Sequence, residues 1–148
     1  MAVMNFDEKE VAELITDPNT IIALSDAGAH ASQLCDACYS TYLLGHWVRE
    51  RKTFTIEQAV HNLTQRPAEM FGISDRGLLA EGRPADVVVF DPKTIKDAAT
   101  FDDPHQYSQG VRFVLVNGEI AIYNGSPTGS RPGKALVPPS KQPSGPSR

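Results

Sequence analysis

Ile21-Ile22-Ala23-Leu24-Ser25-Asp26-Ala27-Gly28-Ala29-His30 is the stretch on which the fold turns. Its first four residues are apolar without alternation, the pattern of a short strand buried on both faces, and such strands belong to parallel sheets. The small and polar residues that follow suit a loop at the strand's carboxyl end. Upstream, Asp7 with Glu10 predicts a capped helix start, and Val11, Leu14 and Ile15 share one apolar face. Asp17-Pro18-Asn19 ends that helix, because Pro18 disfavours helical geometry at Asp17. Downstream, a helix is expected over 38–51, with Tyr39, Tyr42, Leu43 and Trp47 on a shared side. Thr55 and Gln58 form a capping box that opens a helix through Ile56, Ala59, Val60 and Leu63. Pro67 suits the first turn of a further short helix, and Gly72 its left-handed cap.

Beyond residue 73 the pattern changes from helical to β. Gly77-Leu78-Leu79 and Asp86-Val87-Val88-Val89-Phe90 flank the turn-rich Ala80-Glu81-Gly82-Arg83-Pro84. Arg112 to Val116 and Glu119 to Tyr123 are separated by Asn117-Gly118, the strongest short hairpin signal. From Ser126 onward the sequence holds six of its 11 prolines, and an extended tail is expected. Three regions result: 1–73 helical around one strand, 74–125 β, and 126–148 tail.

Composition narrows the class of function. At 148 residues the chain is too short for a complete (β/α)₈ barrel, which takes at least about 200. A hydrophobic fraction of 41% with 22% charged residues is that of an ordinary globular protein. The net charge is −4 and no Lys/Arg stripe forms, which argues against a nucleic-acid partner. No apolar run is long enough to span a membrane, and no basic stretch followed by an apolar core marks a signal peptide. Two cysteines are too few for a disulfide scaffold, so a reduced, cytoplasmic protein is expected.

Among candidate site residues Asp26 stands first. A carboxylate just past the carboxyl end of a buried parallel strand sits where α/β folds place their chemistry, and Ala27-Gly28-Ala29 lets a substrate or metal approach the backbone. The plainer alternative is a turn or helix cap. His30 in the same loop is a ligand or proton carrier at neutral pH, or an ordinary loop residue. His46 and His61 fall in helical patterns and His105 in a polar loop. Cys35-Asp36-Ala37-Cys38 has redox or zinc spacing, but two thiolates supply half a tetrahedral site, and structural cysteines are the simpler reading. Gly77 to Gly82 lacks the Lys-Ser/Thr of a phosphate loop, and no nucleophile elbow surrounds Ser25.

Taken in order, Ser25-Asp26-Ala27-Gly28-Ala29-His30, Asn62-Leu63-Thr64 and Pro67-Ala68 resemble the closing stretch of a metal-dependent amidohydrolase barrel. Asp75-Arg76-Gly77-Leu78-Leu79, Gly82-Arg83-Pro84-Ala85-Asp86-Val87-Val88-Val89-Phe90-Asp91 and Val114-Leu115-Val116-Asn117-Gly118 resemble the small β domain that follows such barrels. Asp102-Asp103-Pro104-His105, Pro127-Thr128-Gly129 and Arg131-Pro132-Gly133 resemble the N-acyl-D-amino-acid deacylase branch, which includes the D-aminoacylases. The resemblance covers residues 5–136. It implies the last βα elements of an amidohydrolase TIM barrel, incomplete in this chain, followed by a small β-sandwich.

In activity, the resemblance implies a hydrolase of linear amide C–N bonds that converts an N-acyl-D-amino acid to the D-amino acid and a carboxylate. Zinc at the strand ends would polarise the carbonyl and lower the pKa of bound water toward about 7. Asp26 inherits the role of general base and acid on that water, and can also touch the metal. His30 is carried over as a substrate contact without a fixed role. The sequence departs from the family in having no His-x-His, so most metal ligands are expected on a missing amino-terminal barrel portion, and this chain alone is expected to be inactive and to bind no zinc tightly. Alternatives are a cyclic amidohydrolase like dihydroorotase or hydantoinase, or an inert fragment acting as an assembly or binding module. A lone strand with unpaired edges costs about 1–3 kcal/mol per buried unpaired group. An unsatisfied apolar surface of Ile22, Leu24, Leu43 and Trp47 is therefore expected to await a partner, either the missing portion or another copy of the chain.

Overall fold

The computed structural model describes residues 7–23, 25, 36–100 and 102–136. Helix α1 (Glu8–Thr16) starts at Asp7, whose carboxylate accepts from the Lys9 amide 2.8 Å away. Val11, Ala12 and Ile15 lean on the core, whereas Leu14, expected on the same face, is exposed. A 3₁₀ turn (Asp36–Cys38) leads into α2 (Tyr39–Tyr42), which continues as a π-helix over Leu43–Glu50. The Arg51 amide donates to the His46 carbonyl at 2.8 Å, the i→i−5 bond of that wider coil. Helix α3 (Ile56–Leu63) carries the expected capping box, with the Thr55 hydroxyl accepting from the Gln58 amide and the Gln58 side chain accepting from the Thr55 amide. Helix α4 (Gln65–Met70) ends in a Schellman motif: the Gly72 amide donates to Glu69 O and the Ile73 amide to Ala68 O, with Gly72 at φ +70°.

The β half is a four-stranded antiparallel meander, β1 (Val87–Phe90), β2 (Val111–Val116), β3 (Glu119–Tyr123) and β4 (Ser126–Pro127), in that spatial order. Asn117-Gly118 turns β2 into β3 as expected, both residues at positive φ, the signature of a type I′ turn. Asn124-Gly125 repeats the device and turns β3 into β4. The pairing therefore runs past residue 125, where the tail was expected to start, and Thr128 still donates its amide to Ala121 O. Register places Val87, Leu115 and Ile120 on one face and Val88, Val114 and Ile122 on the other. Both faces of the sheet are thus apolar.

The buried core is Leu43, Leu44, Trp47, Phe54, Ala59 and Ile95, and Phe90 and Val111 of the sheet pack against it. Three expectations are corrected here. Residues 21–23 of the expected strand 21–24 form none, because the described sheet is built from later residues and offers them no neighbour; Leu24 lies outside the described residues. Leu43 and Trp47 do not await a partner: at 3% and 5% exposure they are the middle of the core, covered by Ile95 and Phe54 from the segments that follow. Gly77-Leu78-Leu79 is no strand, and Leu78 and Leu79 are exposed. Gly77 instead lies against α4, where an added Cβ would come within 2.8 Å of Ala68 Cβ and 2.9 Å of Thr64 O.

Candidate functional site

Asp26, His30 and Cys35 lie outside the described residues. The structure does describe the scaffold on either side of them. The segment approaching Asp26 is tied to the α3–α4 corner: the Arg66 guanidinium donates to the Pro18 carbonyl, and the buried Asn62 side chain accepts from the same guanidinium at 3.3 Å. Asn62 belongs to the Asn62-Leu63-Thr64 motif noted from the sequence, and its side chain is linked to the Pro18 carbonyl through Arg66.

Helix α1 is fastened by charge. His46 Nε2 lies 3.0 Å from Glu8 Oε1 and its Nδ1 3.0 Å from Glu50 Oε2, while Arg51 pairs with the second oxygen of Glu8. The imidazole stacks on Tyr42 with centroids 4.8 Å apart and meets Trp47 edge-on. Partial burial, then the Glu8, Asp97 and Glu50 carboxylates, push the Tyr42 phenol above its ordinary pKa, with Arg51 opposing them. His46 is therefore a structural bridge. His61 and His105 are exposed, and Cys38 is a half-buried thiol.

A third cluster organises the β half. Arg76 pairs with Asp86 and donates to Asn117 Oδ1 at 2.6 Å; Asp86 in turn accepts from the Asn117 amide at 2.8 Å. Partial burial disfavours ionised Asp86, but the Asn117 amide and the Arg76 guanidinium outweigh it and hold the carboxyl below the ordinary range. These partners were missed in the sequence because Arg76 and Asn117 stand 41 residues apart. Between α3–α4 and the sheet opens a cleft of about 980 Å³, lined by Val60, Leu63, Leu79, Val88, Val114 and Val116 among others. Its wall is mainly apolar, and Glu57, His61 and the Arg76–Asp86 pair also line it. Among the described residues no three His, Cys, Asp or Glu side chains are grouped to hold a metal ion, so the described residues do not fit a metal centre.

Comparison with known proteins adds what these residues cannot. The chain is 49% identical over 96 residues to N-acyl-D-glutamate deacylase of Alcaligenes xylosoxydans xylosoxydans, a match covering 65% of the chain and 20% of that protein. It is 36% identical over 133 residues to D-aminoacylase of the same organism, covering 88% of the chain and 27% of that enzyme. The solved N-acyl-D-glutamate deacylase of Bordetella bronchiseptica, in complex with zinc and a phosphonate inhibitor that mimics the tetrahedral intermediate, superposes with a TM-score of 0.54 at 47% identity, over 59% of this chain and 19% of its own. The chain thus spans about a fifth to a quarter of the length of these relatives. The model of the amidohydrolase family matches residues 4–122, four-fifths of the sequence and Asp26 within it, and the chain belongs to that family.

Proposed function

We propose that the chain supplies the carboxyl-terminal part of a metal-dependent amidohydrolase that cleaves the linear amide of an N-acyl-D-amino acid. The observation that carries this is the 49% identity to an N-acyl-D-glutamate deacylase within a family match that includes Asp26. Asp26 takes a proton from the attacking water and delivers it to the departing amine nitrogen. Its unperturbed pKa of about 3.9 keeps it ionised, and so a proton acceptor, at neutral pH. His30 contacts the substrate. Zinc, when bound, polarises the amide carbonyl; Asp26 can also touch it, and the proposal puts its other ligands on the amino-terminal barrel portion.

The same proposal accounts for the architecture. Residues 1–73 are the last barrel elements, whose strand at 21–24 forms only beside neighbours from the rest of the barrel. Residues from 74 through the β4 pairing are part of a small sandwich. The two apolar faces of the sheet support this, since a sheet facing water on one side would alternate polar and apolar residues. The remaining amino-terminal barrel portion, or another copy of the chain, is the partner, and the chain alone is inactive.

A chimera tests the proposal. The matched region of the Alcaligenes N-acyl-D-glutamate deacylase is replaced by residues 4–122 of this protein. Release of D-glutamate from its N-acetyl derivative is expected, along with its loss in Asp26→Asn at unchanged zinc content. Full turnover by the Asp26→Asn chimera would remove Asp26 from the mechanism. A folded chimera that binds zinc but never turns over would favour the assembly-module reading.

A further inference from the structure

Two Asn-Gly pairs occur in the sequence, and both occupy type I′ turns of one sheet. Asn-Gly is the sequence most open to intramolecular attack, because glycine has no Cβ to shield its backbone nitrogen. The two pairs share a sequence but not an environment. Asn117 is half-buried, and its side-chain amide is held at both ends: Nδ2 donates to Pro132 O at 2.7 Å and Oδ1 accepts from Arg76 at 2.6 Å. The nitrogen that would attack it, Gly118 N, donates to Ala85 O at 2.9 Å. Asn124 is exposed, and among the described residues its side-chain amide has no hydrogen-bond partner. The nitrogen next to it, Gly125 N, reaches Arg112 O only at 3.4 Å. The turn around Asn124 leads into a strand of two residues at the sheet edge, which opens at little cost, whereas Asn117 joins two strands inside the sheet.

We propose that Asn124 is a site of spontaneous covalent modification by deamidation, with water as co-reactant, and that Asn117 is protected from it. Gly125 N attacks Cγ of Asn124, forming an N–C bond. The bond between Cγ and Nδ2 breaks and ammonia leaves, carrying the proton that Gly125 N gives up through solvent. Water then opens the five-membered imide. Addition at the carbonyl derived from the Asn124 amide yields aspartate, and addition at the backbone carbonyl yields isoaspartate; no electron is gained or lost. Either product adds one negative charge to a protein of net charge −4. The isoaspartyl product also adds a methylene to the backbone of a two-residue turn. That lengthening is incompatible with the Tyr123–Ser126 and Ile122–Pro127 pairings, so the modification releases β4 together with the bond from the Thr128 amide to Ala121 O.

The test is peptide mapping by mass spectrometry of the full-length protein, incubated folded in mildly alkaline buffer and in parallel in denaturant. In the folded protein Asn124 is expected to convert about tenfold or more faster than Asn117, the difference that two retained hydrogen bonds on the Asn117 amide provide. In denaturant the two rates should converge. Asn124→Gln should abolish conversion at that position and leave Asn117 unchanged. Arg76→Ala should accelerate conversion at Asn117, and the denaturant arm keeps the comparison meaningful should that variant not fold. Equal rates in the folded protein, faster conversion of Asn117, or an intact Asn124 after the denatured protein has fully converted would each overturn the proposal.

Discussion

Ile95→Ala probes the joint between the helical layer and the sheet. Ile95 sits in the connection after β1 and is the most buried large side chain described, at 1% exposure. Its amide donates to Asp91 O, its carbonyl accepts from the Arg49 guanidinium on the π-helix, and Gly45 on that helix passes so close that an added Cβ would lie 3.0 Å from Ile95 O. Truncation to alanine removes three buried carbons, about 2.4 kcal/mol of transfer free energy at ~0.8 per carbon. The neighbours that would refill the space are themselves held by these backbone contacts, so collapse is incomplete and a cavity term raises the loss to about 3–4 kcal/mol. That is a large share of the roughly 5–15 kcal/mol typical of a domain. Urea unfolding followed by fluorescence of Trp47, the single tryptophan, and by circular dichroism should show both signals moving to lower denaturant together. Val88→Ala, at a position 56% exposed, serves as a control expected within about 0.5 kcal/mol of the parent. A loss below about 1 kcal/mol for Ile95→Ala, or a shift of the Trp47 signal alone, would refute the view of Ile95 as the pin between layers.

Gly110→Ala should be at least as damaging: at φ +86°, its new Cβ would lie 2.5 Å from Ile95 N and Cα, so little folded protein is expected in solution, and a parent-like melting temperature would count against the packing described. The Asp86 carboxyl is held below its ordinary range in the folded protein, with the amide and guanidinium outweighing its partial burial. The stability this confers is therefore complete above the unfolded carboxylate pKa of about 3.9 and is lost as pH falls through the lower folded value. Acid titration of melting temperature should accordingly drop less steeply in Asp86→Asn than in the parent, and an unchanged slope would show that the ion pair contributes nothing.

Local signals were legible wherever the physics is local. Asp7, Thr55 and Gly72 marked helix boundaries because a cap is satisfied within one turn of helix. Asn117-Gly118 marked its hairpin because only residues tolerant of positive φ close a two-residue turn in a right-twisted sheet. Asn124-Gly125 bore the same mark and was overlooked because the prolines around it resembled a tail. Asp26 and His30 could be named from their place in the Ser25–His30 stretch, and they lie outside the described residues.

By itself the sequence determined the family, the helix caps, the hairpin turn and the identity of the candidate carboxylate, all of which are written in short contiguous runs. The tertiary structure alone decided which apolar residues are core. Leu43 and Trp47 are buried because Ile95, about fifty residues away, folds back onto them, and residues 21–23 form no strand because no strand of the described sheet pairs with them, although Ile22 packs against the core. It also decided that two identical Asn-Gly turns differ in exposure, since hydrogen bonding to Arg76 and Pro132 is a matter of distance in space rather than along the sequence.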